Sequence, residues 1–168
     1  MGRKLKIGSS YVSTGPNEEL EEILSLLESY QSLPNYTVDS RVPIGEYSPS
    51  KNTIRLNPYR GGTVDTISHE STHALEELMK RLAAEDAKLG GTQFSNGLAS
   101  LFTPTKLPGV PKNPTGYDKY RYSPTEMRAF GVGNMVADGQ TKPIANHLDT
   151  TMAQEQAILR ELLKRRKK

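Results

Sequence analysis

The sequence predicts a single α+β domain: a small, mostly antiparallel sheet packed beside one long helix, with a further helix crossing that helix. Three observations predict it. Apolar residues recur at helical spacing over 17–30 and again over 64–88, and short β-type stretches lie between those segments at 36–57. Further on, Ser123-Pro124-Thr125-Glu126 carries a helix-start signature. The chain's 168 residues suit one domain of ordinary size.

In chain order, the first helix places Leu20, Ile23, Leu24, Leu27 and Tyr30 on one face, with Glu18 and Glu19 in its first turn and Pro34-Asn35 beyond its end. Strands are predicted at Tyr36–Val38, Val42–Tyr47 and Thr53–Leu56. Ser48-Pro49-Ser50-Lys51-Asn52 is turn chemistry, so the last two strands form a hairpin. Gly61-Gly62-Thr63 opens the second helix, 64–88, whose apolar set is Val64, Ile67, Ala74, Leu75, Leu78 and Leu82, and Gly90-Gly91 closes it. Residues 91–122 hold Pro104, Pro108, Pro111 and Pro114, and form an insert of a length that compact domains rarely carry without a use for it. A third helix starts at Ser123 and runs to about Val136, a short helical piece begins at Pro143, and a basic helix occupies about 150–168.

Composition excludes several classes of function. There is no cysteine, which removes disulfide scaffolds, thiolate zinc sites, iron–sulfur clusters and cysteine nucleophiles. The N-terminal segment lacks the apolar stretch of a secretory signal, and Lys6 spoils a myristoylation signal after Met1-Gly2. No apolar run approaches a membrane span, so the expectation is a cytoplasmic protein without a membrane partner. Net charge is +3 but unevenly placed: residues 160–168 carry +5, Arg3, Lys4 and Lys6 carry +3, and residues 7–159 carry −5. The basic 164–168 run (KRRKK) could touch nucleic acid electrostatically, but Lys and Arg also suit a solvated helix C-terminus, which is the favoured reading.

The informative segment is His69-Glu70-Ser71-Thr72-His73. On a helix, residues i and i+4 lie about 40° apart around the axis, so both imidazoles can face one ion. Neutral imidazole suits Zn²⁺, and a carboxylate at the second position can reach a metal-bound water without ligating. Glu70 is therefore the candidate general base. With this chain's composition, about 0.004 chance matches to H-E-x-x-H are expected. Catalytic zinc takes three protein ligands and one open position. The extended motif that would supply a third His fails, because Glu76 and Met79 stand at its Gly and His positions. The third ligand must come from elsewhere. Glu126 is favoured, at a helix start with the small Ala129 nearby; its rival role is the acid of a Ser123 capping box. His147 is the other candidate ligand. Glu76, Glu77 and Glu85 read as a solvated helix face.

With these residues in view, the chain resembles the gluzincin zinc peptidases, particularly their smallest members. The resemblance rests on Asn52-Thr53-Ile54-Arg55-Leu56-Asn57, on His69 to His73, and on Ser123-Pro124-Thr125-Glu126-Met127-Arg128-Ala129-Phe130. It covers about residues 44–137. It implies a minimal zincin-like fold, one Zn²⁺ per chain held by His69, His73 and Glu126, and Glu70 as the base. It also implies an extended peptide or protein substrate paired with an edge strand at residues 52–57. Two departures stand out. Thermolysin-like members have an Asp where this chain has Phe130, and the 52 residues between His73 and Glu126 exceed the spacing of the smallest members. The short chain with its basic tail is similar to phage and mobile-element products, which would allow a virion-associated location. For the oxyanion donor, Tyr117, Tyr120 and Tyr122 precede the ligand helix, with Arg121 and Arg128 as alternatives; Tyr120 and Tyr122 are favoured. Two other classes of function stay open: a non-catalytic structural or virion-assembly protein that keeps the fold, and a nucleic-acid accessory protein working through its basic ends.

Overall fold

The computed structural model of the chain describes residues 3–15, 17–88, 90, 113, 115–116, 123, 125–126 and 128–130. The elements in order are β1 (Lys4–Ile7), β2 (Ser10–Ser13), α1 (Glu18–Ser29), β3 (Asn35–Val38), β4 (Gly45–Ser48), β5 (Thr53–Leu56) and α2 (Val64–Lys88), with a 3-10 turn at Pro49–Lys51. The chain divides into two compact units, residues 1–78 with 132–142 and residues 79–131 with 143–168, the division falling inside α2.

In the first unit the five strands form one sheet in the order β2-β1-β3-β5-β4. The class is α+β as predicted, but the sheet is mixed rather than mostly antiparallel. β1–β2 and β4–β5 are antiparallel, whereas β1–β3 and β3–β5 are parallel. The reason lies in the connections. Residues 39–44 carry the chain past the neighbouring position, so β4 forms at the outside and β5 returns between β4 and β3. The 52–57 strand is therefore interior, not an edge; the edge on that side is β4. The β1–β2 hairpin is absent from the elements predicted above. Its signal is the alternation Lys4-Leu5-Lys6-Ile7, which turns the lysines outward and the apolar pair inward, followed by Gly8 at φ +60°.

The same alternation places Leu5, Ile7, Tyr36, Ile54 and Leu56 on one sheet face, where they form a core with Leu20 and Leu24 of α1 and Ile67 of α2. Both helices therefore cover that face. α1 begins where Asn17 Oδ1 accepts the Leu20 N–H at 3.1 Å, an N-cap that satisfies one orphan donor. Its N-terminal half is tied to the strands through Glu21, whose carboxylate accepts from Thr14 Oγ1 at 2.8 Å and from the Arg3 backbone N–H at 3.0 Å. Burial alone would raise the Glu21 pKa, but these hydrogen bonds and the Arg3 charge outweigh it and hold the carboxyl below its ordinary value. On the open face, Glu46 of β4 sits opposite Arg55 of β5 and ion-pairs with it, and Arg55 also reaches Asp39 at 3.1 Å. The predicted β4–β5 hairpin is present, with Asn52 in the left-handed region at φ 43° closing its turn. Among the described residues, no helix is long and apolar enough to cross a membrane.

In the second unit, the described residues include the last turns of α2 and helical residues 125, 126 and 128–130, which follow the predicted helix start at Ser123. Glu126, Arg128 and Ala129 are buried there. The short helical piece from Pro143 and the basic C-terminal helix lie outside the described residues, as does all of the 91–122 insert except residues 113, 115 and 116.

Candidate metal centre

α2 carries the H-E-x-x-H segment as an uninterrupted helix, and its geometry is set by spacing alone. The Nε2 atoms of His69 and His73 lie 3.2 Å apart, with the ring centroids separated by 4.9 Å and the planes inclined at 78°. Two nitrogens each about 2.0–2.1 Å from one tetrahedral zinc would be roughly 3.3–3.4 Å apart. The pair is therefore at ligand spacing. Both residues are half-buried.

Glu70, between them in sequence, is 8 % exposed and points beneath the edge strand. A Cβ on Gly45 of β4 would lie 3.0 Å from Glu70 Oε1 and 3.1 Å from its Cγ, so the strand backbone lies directly against this carboxylate. Around the motif the helix also buries hydroxyl side chains. Ser68 and Thr72 donate their hydroxyls to the carbonyls one turn back, at 2.7 Å and 2.8 Å. Ser71 Oγ meets the Tyr36 hydroxyl of β3 at 2.8 Å in the interior. Burial pushes the Tyr36 hydroxyl up to about 12, with the Ser71 hydrogen bond acting weakly against that shift.

One ligand atom from each of His69, His73 and Glu126 lies within 4.8 Å of the other two, and the Glu126 side chain is buried. Ser123 Oγ accepts the Glu126 backbone N–H at 3.4 Å, which is the serine half of the predicted capping box. The donor set of two imidazoles and a carboxylate is one that zinc accepts.

The other predicted residues divide. Glu76 belongs to no solvated face: it is 2 % exposed, because its place on α2 falls on the same buried side as Met79. Glu85 is exposed and Glu77 intermediate, as a solvated face requires. Arg128, an alternative oxyanion donor, is buried. Tyr117, Tyr120, Tyr122, Arg121 and His147 lie outside the described residues.

Two residues near the start of β4 have roles that local sequence does not reveal. Asn57, at the end of the predicted cleft-lining strand, is buried and serves as a staple. Its Nδ2 donates to the Val42 carbonyl at 2.8 Å, its Oδ1 accepts from the Tyr59 N–H at 2.9 Å, and its backbone N–H donates to the Ile44 carbonyl at 2.7 Å. Gly61 packs against the same carbonyl, where a Cβ would sit 2.0 Å from Ile44 O. Together they fasten the start of the edge strand beside α2. The only sequence signal for this was the cluster of Asn, Pro and Gly over 57–62, which reads equally well as an ordinary turn.

No protein-family model matches the chain, and neither a curated protein nor a solved structure shows significant similarity to it.

Proposed function

We propose that this chain is a zinc-dependent peptidase of the gluzincin type. The observation that carries the proposal is the His69–His73 pair on α2, whose Nε2 atoms lie 3.2 Å apart, close to the separation that one tetrahedral ion requires, with Glu126 offering a third ligand atom within 4.8 Å. Such an ion would lower the pKa of a bound water toward neutrality and polarise a carbonyl oxygen. His69 and His73 would hold it through Nε2 and Glu126 through a carboxylate oxygen. Glu70 lies one residue from a ligand and is shielded by the edge strand. In this proposal it takes the proton of the attacking water and delivers it to the nitrogen of the leaving amine. The substrate is an extended peptide, and the edge it would join is β4 rather than β5, since among the described strands β4 ends the sheet and lies against α2 at Gly45. Tyr120 or Tyr122 would stabilise the developing oxyanion.

The decisive experiment has two arms. Metal content of the purified chain should be one zinc, falling in Glu126→Ala and His73→Ala. Hydrolysis of a broad peptide library should fall by about 10²–10⁴-fold in Glu70→Gln while zinc stays bound. If wild type binds zinc and is as inert as Glu70→Gln, the chain is a structural metalloprotein and the peptidase proposal fails. If no zinc binds, both proposals fail.

A further inference from the structure

Gly45 has no conformational reason to be glycine. It sits in the regular strand β4, outside the positive-φ region that accounts for Gly8, Gly15 and Gly90. What demands its missing side chain is α2. A Cβ at this position would lie 2.9 Å from Thr66 Cγ2, 3.0 Å from Glu70 Oε1 and 3.1 Å from Glu70 Cγ, closer than such atoms pack. The strand has no easy retreat from these contacts. Gly45 is in register with Leu56 of β5, and the preceding carbonyl, Ile44 O, is held by the Asn57 N–H at 2.7 Å and crowded by Gly61. What can move is side chain: the Thr66 methyl and, at the far end of a longer and more flexible chain, the Glu70 carboxylate.

We propose that Gly45 is a positioning residue for Glu70: the bare backbone of the pinned edge strand forms the wall that fixes the placement of its carboxylate. This rests on the peptidase proposal for its catalytic consequence, but not for its geometry. A side chain at 45 pushes the carboxylate off its place while leaving the strand, the helix and the two imidazoles where they are. Displacement of a reacting group by about 1 Å costs roughly 10²-fold in rate.

The test is Gly45→Ala in the full chain. In the wild-type protein an NMR cross-peak should connect a Gly45 Hα to the Glu70 Hγ protons, whether or not any peptide is cleaved; its absence overturns the proposal outright. In Gly45→Ala, kcat should fall about 10–100-fold with KM within a few-fold of wild type and zinc stoichiometry unchanged. The loss should be non-additive with Glu70→Asp, whose shorter side chain withdraws from the new methyl, so that Gly45→Ala adds little in that background. Thr66→Ser, which removes only the Thr66 methyl, should not rescue Gly45→Ala. Rescue by Thr66→Ser, additivity with Glu70→Asp, or wild-type kcat in Gly45→Ala would each overturn the assignment. An inactive wild type that still shows the cross-peak would sink the peptidase proposal while leaving the Gly45–Glu70 contact established.

Discussion

α1 and α2 cover the same face of one sheet, yet they bury different chemistry. Among its described side chains, α1 buries only Leu20, Ile23, Leu24, Leu26 and Leu27. α2 buries Ile67, Ala74, Leu75, Leu78 and Met79, but also Ser68, Glu70, Ser71, Thr72 and Glu76. A fully buried leucine contributes about 1.5–3 kcal/mol, whereas a buried, hydrogen-bonded hydroxyl contributes on the order of 1 kcal/mol. The hydroxyls of α2 are satisfied locally, by carbonyls one turn back and by Tyr36, so they stabilise little while avoiding the penalty of unmet polar groups. One helix holds the fold; the other is released from that task over the stretch that carries the imidazoles.

The largest effects should cross over between the two helices. Leu24→Ala in α1 removes a fully buried side chain from the shared core and should destabilise the zinc-free chain by about 2–5 kcal/mol, read from denaturant unfolding. Zinc affinity of the folded variant should be nearly unchanged. His69→Ala in α2 should do the reverse. Zinc affinity, measured by chelator competition, should drop by more than the roughly 10–100-fold that loss of an outer-shell partner costs, while zinc-free stability stays within about 0.5 kcal/mol. If both variants lose stability equally without zinc, the division of labour is wrong.

That division also explains which parts were legible in the sequence. α1, α2 and the β4–β5 hairpin follow from local rules: apolar residues every three or four positions, acids in a first turn, and Pro-Ser-Lys-Asn turn chemistry. The candidate ligands were legible because i, i+4 spacing is itself a geometry, and because the Ser123-Pro124 start places Glu126 at a fixed point of a helix. What was not legible depends on long-range pairing. Nothing local distinguishes β5 as an interior strand from β5 as an edge, since that is decided by where β3 and β4 settle. Gly45 looks like any strand-boundary glycine until Glu70 is placed against it. Glu76 looks like a surface acid because charge predicts exposure on average, and packing of one helix face overrides the average.

The buried hydroxyl pair tests the comparison at smaller scale. Ser71→Ala leaves the Tyr36 hydroxyl in the interior without this partner and should destabilise by about 1–3 kcal/mol. Tyr36→Phe removes the buried group as well and should cost less, because Ser71 can turn to a helix carbonyl. The pair also sets an alkaline limit. Folding holds the Tyr36 phenol neutral up to about 12, whereas in the unfolded chain it ionises near 10. The unfolded state therefore binds fewer protons between those values, and stability falls as pH rises through that window. The fall should be shallower in Tyr36→Phe, measured by urea unfolding at a series of pH values.

The smallest effect belongs to the α1 side, at Glu21, which Thr14 and Arg3 hold in its charged form. Its folded pKa lies below the unfolded one, so the contribution is present above the ordinary carboxylate value of about 4.3 and disappears as pH falls through the folded value. The wild-type advantage over Glu21→Gln should therefore be greatest near neutrality and shrink on acidification. Because the carboxylate is partly solvated, the whole advantage should stay near or below about 1 kcal/mol. Arg3 and Thr14 flank the β1–β2 hairpin, and the Thr14 N–H donates to the Arg3 carbonyl at 2.9 Å, so this carboxylate joins α1 to the far edge of the sheet. Any loosening in Glu21→Gln should then appear as faster amide exchange in β1 and β2, with β4, β5 and α2 unchanged. Faster exchange in α2 instead would mean that the two helices are not energetically separate, and the contrast between them would fail.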